Sequence, residues 1–134
     1  MKSVDTTFII DLLRGNKQAV EKAIELETED KVVTTEISVF EIYYGIYRKK
    51  GIKIKTHIEK LNKLLDKLEV LPITRKCSIK AAQIAGELGK SGLEIGSHDC
   101  LIAGTILANG CNVIITDNVE HFKRIKELKV ERYL

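Results

Sequence analysis

Four acidic residues stand where predicted strands end or predicted helices begin. Asp5 follows the opening apolar stretch, Glu41 lies in SVFE at 38–41, Asp99 lies in GSHDCLIAG at 96–104, and Asp117 lies in TDNVEHF at 116–122. Carboxylate and water oxygens are the ligands that Mg²⁺ and Mn²⁺ prefer. If the fold brings these acids together, they fit a divalent metal and metal-assisted hydrolysis.

Each acid also has an ordinary structural interpretation. Asp5 precedes a predicted helix and fits an N-cap. Ser38 and Glu41 have the spacing of a capping box, in which the glutamate reaches back to the serine N–H. Asp99 falls in a first helical turn, where the helix dipole stabilises acids, and Asp117 fits a turn. Only the joint placement of the four indicates a site.

Other catalytic patterns are missing from the sequence. It contains no P-loop, no GxSxG and no GxGxxG motif. The three histidines, His57, His98 and His121, lack zinc-protease spacing. We interpret His98 as a surface neighbour of Asp99 and not as a general base, and we assign no role to His121.

The composition is that of a folded globular domain. The 134 residues, 44% apolar and 31% charged, suffice for one core. There is no apolar run of the ~18 residues that a membrane span needs, and the N-terminus does not resemble a signal peptide. We therefore predict a cytoplasmic protein with no membrane partner. Three cysteines form no CxxC pair, which predicts reduced buried thiols and argues against zinc: Cys77, Cys100 and Cys111.

The net charge of +3 permits nucleic-acid binding without arguing for it. The densest basic run is YRKKGIKIK at 47–55, which we interpret as a solvated helix C-terminus, where cations suit the dipole.

Strand and helix patterns alternate along the chain. The sequence predicts strands at 2–6, 31–36, 70–73, 112–116 and 129–134, and helices at 8–14, 17–28, 39–50, 54–68, 75–90, 98–109 and 119–126. Alternation predicts a parallel sheet covered on both faces. Because ligands bind beyond the carboxyl ends of such strands, Asp5 and Asp117 are expected to converge.

Two helices carry apolar residues at helical spacing. Helix 17–28 has Val20, Ala23 and Ile24, and helix 39–50 has aromatic residues at i, i+3, i+4 and i+7: Phe40, Tyr43, Tyr44 and Tyr47. Both patterns predict a helix.

Four segments together resemble a PIN-domain ribonuclease of the VapC toxin type. VDTTFIIDLLRG at 4–15 resembles the opening strand and helix of that family, with Asp5 as the first acid. ISVFEIYYG carries the second acid at Glu41, and IGSHDCLIAGTIL carries the third at Asp99. VIITDNVEHFKRI resembles the closing strand and helix, with matching residues at Thr116, Asn118 and Phe122. The resemblance covers essentially the whole chain.

The sequence departs from the family pattern at two places. Thr7 stands where Asn or Ser is common in the family. The family's fourth polar residue usually stands two positions after the threonine, at Asn118 here, whereas Asp117 stands one position after it. Either residue therefore fits the fourth position. We predict Asp117 as the negative charge near the metal and Asn118 as a turn or hydrogen-bonding residue.

The resemblance implies one PIN domain over residues 1–134, with a three-layer α/β/α fold and a central parallel sheet. It implies RNA cleavage dependent on Mg²⁺, with Mn²⁺ as a substitute. Asp5 and Asp99 would hold the metal, with Glu41 as a further ligand. Asp117 or Asn118 would complete the cluster directly or through water, and the supporting polar residues would be Thr6, Thr116 and Asn118.

The resemblance also implies partners: an RNA substrate, a small VapB-type antitoxin and a second copy of the chain in a homodimer. The tyrosines at 43, 44 and 47 fit either a dimer surface or the core, and we predict the core.

Two other classes remain as alternatives. A phospho-accepting signalling domain needs paired acids after the first strand and an aspartate after the middle strand, but Thr6 and Thr7 follow Asp5, and VLPIT at 70–74 has no aspartate. Thr7 equally weakens a DxD phosphatase. A non-catalytic RNA-binding or RNA-processing PIN domain is disfavoured because acids stand at all three positions, 5, 41 and 99.

Overall fold

A computed structural model describes residues 1–51 and 53–134. In this part of the chain the sheet has five short strands: β1 (Lys2–Val4), β2 (Val32–Thr35), β3 (Glu69–Leu71), β4 (Val113–Ile115) and β5 (Lys129–Glu131). Their order is β3-β2-β1-β4-β5, and every neighbouring pair is parallel. The predicted parallel sheet is therefore confirmed.

The strand order has a consequence for the site. Successive strands are added on one side of β1 up to β3, and the chain then crosses to place β4 on its other side. In open parallel sheets, ligands bind at this switch point, outside the carboxyl ends of the two strands. Asp5 directly follows β1 and Thr116 directly follows β4. The order also differs from the flavodoxin-like 2-1-3-4-5 arrangement, which argues further against the phospho-accepting alternative.

Seven helices flank the sheet among the described residues: α1 (Thr6–Leu13), α2 (Lys17–Leu26), α3 (Glu36–Arg48), α4 (Ile54–Leu65), α5 (Arg75–Lys90), α6 (Ser97–Ala108) and α7 (Val119–Phe122). Ile114 and Ile115, adjacent along β4, face opposite sides of the sheet and belong to different apolar clusters. One cluster contains buried residues of α5 and α6, and the other contains those of α1, α2 and α4. The three-layer fold is confirmed.

The start of α3 differs from the prediction. The helix begins at Glu36, and its N-cap is Thr35, whose Oγ1 accepts a hydrogen bond from the Ser38 N–H at 3.2 Å. Ser38 is therefore a buried residue inside the first turn. The predicted capping box of Ser38 and Glu41 is wrong, because the threonine at the strand end already satisfies this amide.

The buried face of α3 also differs from the prediction. Ile42 and Ile46 are buried, whereas Phe40, Tyr44 and Tyr47 are 58%, 56% and 60% exposed. The predicted core packing is therefore wrong for Tyr44 and Tyr47. Tyr43 is half-buried, and its hydroxyl donates to Asn62 Oδ1 at 2.8 Å. Ile42 and Ile46 repeat along α3 with the same helical period as the aromatic residues. Only packing against the rest of the fold decides which of the two sets is buried.

The buried face of α2 is likewise not the one with the apolar spacing: Val20 and Ile24 are exposed, whereas Ala19 and Leu26 are buried.

Gly15, with φ +76°, follows the end of α1 as predicted. The three cysteines are free and buried, as predicted. Ile52, in the basic run 47–55, lies outside the described residues. None of the described helices combines the length and apolar character that a bilayer span requires.

Candidate active site

Asp5 lies at the carboxyl end of β1 and is almost fully buried, with 2% of its surface exposed. Its Oδ1 accepts from the Phe8 N–H at 3.1 Å and from the Thr7 hydroxyl at 2.7 Å. Its Oδ2 accepts from the Thr116 hydroxyl at 2.5 Å. Asp5 is therefore the N-cap of α1, and these three hydrogen bonds fix both carboxylate oxygens at the switch point.

The surroundings of Asp5 disfavour its negative charge. Burial raises its pKa from 3.8 to about 6, the hydrogen bonds from Thr116, Thr7 and Phe8 oppose this rise, and the charge of Asp99 adds to it. Within residues 1–51 and 53–134, neither aspartate forms an ion pair with a lysine or arginine. A bound cation would compensate this buried charge.

The loop between β4 and α7 is tied to the same point. The Thr116 hydroxyl accepts from the Asn118 N–H at 2.8 Å, and the Thr7 hydroxyl accepts from the Asp117 N–H at 2.9 Å. The Asn118 side-chain amide donates to Asp99 Oδ2 at 3.2 Å. Asp117 is exposed, and its side chain lines a surface pocket with Glu120 and Arg132. The fold therefore brings Asn118, and not the Asp117 carboxylate, into contact with Asp99.

Asp99 stands in the first turn of α6, as predicted. Its Oδ2 lies 2.8 Å from Nδ1 of His121, which is 3.1 Å from the Asn118 amide nitrogen. No role was predicted for His121 from the sequence. Its position three residues after Asn118 was the available signal, because Asn118 is the N-cap of α7 and side chains at the N-cap and three residues later lie within reach of one another.

Glu41 approaches from α3. Its Oε1 accepts from the Thr6 hydroxyl at 2.6 Å, and its Oε2 lies 3.4 Å from His98 Nδ1. The predicted surface position of His98 is confirmed, since half of its side chain is exposed, and its polar contact is Glu41. Thr6 and Thr7 thus direct adjacent hydroxyl groups to two different acids, Glu41 and Asp5.

The donor set fits a hard divalent cation. Asp5 and Asp99 contact Thr116 and Asn118, which follow β4, and Glu41 contacts Thr6, which follows β1. The three acids therefore lie at the carboxyl edge of the sheet. Among the described residues, no three Asp, Glu, His or Cys side chains are close enough to enclose an ion by themselves. Mg²⁺ is commonly held by one or two carboxylates plus water, so an incomplete protein shell suits it.

The fold and the site define a class of protein: an α/β domain with acidic residues at its topological switch point. The sequence matches the PIN domain family over residues 3–128. The chain therefore belongs to the PIN-domain family, and within it to the VapC-type ribonuclease toxins.

Three similar proteins document this assignment. The chain is 34% identical to Ribonuclease VapC of Rickettsia bellii over 131 residues, which is 95% of this chain and 92% of the relative. It is 26% identical to the tRNA(fMet)-specific endonuclease VapC of Salmonella typhimurium over 96% of this chain and 94% of the relative. The structure of VapBC2 from Rickettsia felis bound to a promoter DNA fragment superposes with a TM-score of 0.89 and 25% identity, covering 99% and 98% of the two chains.

Proposed function

We propose that this ribonuclease cleaves RNA internally with a divalent cation, Mg²⁺ or its substitute Mn²⁺, bound at the edge of the sheet that carries Asp5, Asp99 and Glu41, with water completing the metal's shell. One observation carries this proposal: Asp5 is buried beside Asp99, and no lysine or arginine within residues 1–51 and 53–134 pairs with either carboxylate, His121 being the partner of Asp99. Buried carboxylates are costly unless something compensates their charge. In this proposal, the positive charge of the bound metal offsets the free-energy cost of burying the Asp5 carboxylate.

The roles within the site follow from the contacts. Asp5 and Asp99 would hold the cation, and Glu41 would orient a water through Oε2, which lies 3.4 Å from His98 Nδ1. Asn118 takes the fourth position because its amide contacts Asp99, whereas Asp117 contributes its backbone N–H to Thr7. Thr6 and Thr116 keep the carboxylates in position through their hydroxyl groups.

A bound divalent cation supplies activation of water for in-line attack on a phosphodiester and neutralises the charge that develops. The protein's part is positioning. The orientation of the Asp5 side chain is fixed, because both of its carboxylate oxygens accept hydrogen bonds from the protein. Glu41 has Oε1 committed to Thr6, and its Oε2, 3.4 Å from His98 Nδ1, is the oxygen that would accept a proton or a hydrogen bond from water.

Asp99→Asn tests this proposal. We expect RNA cleavage in Mg²⁺ to be lost, and Mn²⁺ binding measured by calorimetry to weaken at least tenfold. The metal-free variant should be as stable as the wild type or more stable, because one of two repelling charges is gone. Cleavage at the wild-type rate would contradict the proposal. Wild-type protein that binds RNA but never cleaves it with either metal would favour the non-catalytic alternative.

The partner is proposed to be a VapB-like antitoxin, as the VapBC2 complex suggests. A groove between α1, α3 and α4 supports this proposal. Its floor contains the apolar residues Ile10, Leu13, Ile42 and Ile46, and its rim carries Arg14, Arg48, Lys49, His57 and Lys60. An amphipathic segment with acidic residues beside its apolar face would fit this groove.

Co-purification tests this pairing. A tagged chain expressed with the product of a short neighbouring reading frame should form a stable complex, and Lys49→Glu with Lys60→Glu should weaken it without altering the fold. Retention of full affinity in this double variant would exclude the groove.

The substrate and assembly complete the proposal. The Salmonella relative is named for cleavage of tRNA(fMet), so initiator tRNA is the first substrate to assay. We further propose that the chain acts as a single PIN domain in the cytoplasm and as a homodimer, for which sedimentation analysis is the test.

A further inference from the structure

The residues that follow β5 bring one aromatic side chain onto α1. Tyr133 is buried, whereas Arg132 and Leu134 on either side of it are exposed. Its ring meets the Phe8 ring edge-on, with centroids 5.0 Å apart. Its hydroxyl donates a hydrogen bond to Asp11 Oδ2 at 2.6 Å. Phe8 and Asp11 are three residues apart and lie on one face of α1, so Tyr133 contacts that face at two points.

The strand before Tyr133 is held by two lysines. Glu131 ends β5, and its Oε1 lies 2.9 Å from Lys2 Nζ while its Oε2 lies 3.1 Å from Lys22 Nζ. The three side chains are between 16% and 25% exposed, which limits screening of their charges by the solvent. Lys2 begins β1 and Lys22 lies in α2, so these ion pairs fix the end of β5 against both elements. Tyr133 therefore approaches α1 from a fixed base.

Phe8 links Tyr133 to the proposed metal site. The Phe8 N–H donates to Asp5 Oδ1 at 3.1 Å, and the Thr7 hydroxyl donates to the same oxygen at 2.7 Å. The Tyr133 ring thus packs on the side chain of the residue whose amide holds Asp5. A shift of α1 away from Tyr133 would therefore change the position of an Asp5 oxygen.

The Tyr133 hydroxyl is able to hold α1 because it remains protonated. Burial, and then the hydrogen bond to Asp11, raise the pKa of Tyr133 above its usual value of 10, and the Thr7 hydroxyl opposes this rise. A neutral phenol is a hydrogen-bond donor, and a hydrogen bond to a carboxylate is roughly twice as strong as one between neutral groups. The hydroxyl therefore adds a strong, directed contact to the packing of the ring.

We propose that Tyr133 is a positioning residue for the metal site, which holds the first two turns of α1 so that the Phe8 amide keeps the Asp5 carboxylate in place for the cation. This inference rests on the proposed function, because it assumes that Asp5 binds the cation. Tyr133 acts through α1 and needs no contact with the metal or with RNA. Loss of a residue that orients a metal ligand typically weakens metal binding by about ten- to hundredfold.

A purely structural role is the competing interpretation. Tyr133 belongs to the apolar cluster that also contains Phe8 and Ile115, and its side chain could serve only to complete that cluster. In that case the hydroxyl would contribute to the stability of the whole fold without affecting the site. The location favours positioning, because the ring contact and the hydrogen bond both go to the helix that Asp5 caps.

Mn²⁺ binding to the full chain, measured by calorimetry without RNA, tests the inference. Tyr133→Phe keeps the ring and removes the hydroxyl, and it should weaken Mn²⁺ binding about tenfold. Asp11→Ala removes the acceptor of the same hydrogen bond and should weaken binding to the same degree. Asp11→Asn keeps an oxygen that accepts from Tyr133 and should weaken binding less than Asp11→Ala does. The double variant Tyr133→Phe with Asp11→Ala should bind as either single variant does, because all three lack the same bond.

Hydrogen exchange of the Phe8 amide in EDTA gives a readout that needs no metal. Tyr133→Phe should speed this exchange about tenfold or more, because a hydrogen bond to a charged group contributes at least that factor to the equilibrium for local opening. The matched control is Ile84→Val, which alters a buried residue of α5 in the other apolar cluster. The control should lower the melting temperature and leave the Phe8 exchange rate and the Mn²⁺ affinity unchanged.

Three outcomes would overturn the inference: wild-type Mn²⁺ affinity in Tyr133→Phe, an unchanged Phe8 exchange rate in that variant, or equal changes in Tyr133→Phe and Ile84→Val, which would show a purely structural role. Wild-type protein that binds no Mn²⁺ would refute the proposed metal site, and faster Phe8 exchange in Tyr133→Phe would then still uphold the link from Tyr133 to Asp5. Metal-dependent cleavage by the wild type, together with unaltered Mn²⁺ binding in Tyr133→Phe, would uphold the proposed function and refute this inference.

Discussion

Replacing Asp5 with asparagine is expected to stabilise the metal-free protein and to abolish RNA cleavage. Asparagine keeps the side-chain oxygen that accepts from the Phe8 N–H and the Thr7 hydroxyl. Its amide can donate to Thr116 Oγ1, where the carboxylate now accepts. The variant therefore preserves the cap and removes only the buried charge.

The size of the gain follows from the pKa. Burial raises the pKa of Asp5 from 3.8 to about 6. Each pKa unit corresponds to about 1.4 kcal/mol, so ionised Asp5 costs about 3 kcal/mol of folding free energy. Asparagine recovers part of this, because its own amide is also costly to bury. We expect a gain of roughly 1–3 kcal/mol above pH 6.

The pH dependence has a defined sign. Below pH 3.8 Asp5 is protonated in the folded and unfolded chains, and its charge costs nothing. Between pH 3.8 and about 6 the folded chain holds the proton more tightly, so wild-type stability falls as pH rises. Above about pH 6, the full free-energy cost of the ionised Asp5 is present and wild-type stability falls no further through this group. The stability difference between variant and wild type should therefore be near zero at low pH and reach a plateau above pH 6.

Urea unfolding of both proteins in EDTA, measured from pH 3.5 to pH 8, checks this prediction. Asp30→Asn, a change of the same chemistry at an exposed position, serves as the control and should show no such profile. Added Mg²⁺ should stabilise the wild type and leave Asp5→Asn unchanged, because ligands stabilise only the state that binds them. A variant that is less stable than the wild type at pH 7.5 would refute the reasoning that Asp5 is an uncompensated charge.

Three further predictions concern the neighbouring residues. Asn118→Ala should raise the Mg²⁺ concentration needed for half-maximal cleavage about tenfold or more, whereas Asp117→Ala should change it little; a reversed result would restore Asp117 as the fourth residue. Glu41→Gln should keep the wild-type melting temperature and cleave about a hundredfold more slowly, by analogy with losses at metal sites. Thr35→Ala, which removes the N-cap of α3, should lose roughly 1 kcal/mol of stability and still cleave RNA when folded. Retained activity in Glu41→Gln would leave that carboxylate without a catalytic role. Thr6→Val, which removes the hydroxyl bonded to Glu41, should slow cleavage at least fivefold with a normal circular dichroism spectrum, and an unchanged rate would show that Glu41 needs no such support.

The order of the elements could be read from the chain because hydrophobic period and turn residues are local signals. The alternation of strands and helices predicted the parallel sheet, and Gly15 predicted the end of α1. The buried faces of α2 and α3 could not be read in the same way. In α3, Ile42 and Ile46 compete with Phe40, Tyr44 and Tyr47 at the same helical period, and the choice depends on what α1 and α4 offer for packing.

The sequence by itself determined which residues are able to do chemistry. Asp5, Glu41 and Asp99 were predicted as candidate site residues from their types, from their expected places at strand ends and helix starts, and from the resemblance of the surrounding segments to the PIN-domain family. Glu41 lies in the second turn of α3 and not at its start.

Only the tertiary structure decided how the site residues contact one another. It brought Asn118 and His121 to Asp99, left Asp117 exposed, and gave Glu41 the Thr6 hydroxyl in place of a capping amide. The physical reason is distance along the chain. These contacts join residues 19 to 35 positions apart, and Thr116 reaches Asp5 across 111 positions. Local sequence cannot choose between adjacent side chains such as Asp117 and Asn118, because the backbone conformation of the loop after β4 decides which one meets a partner from another element.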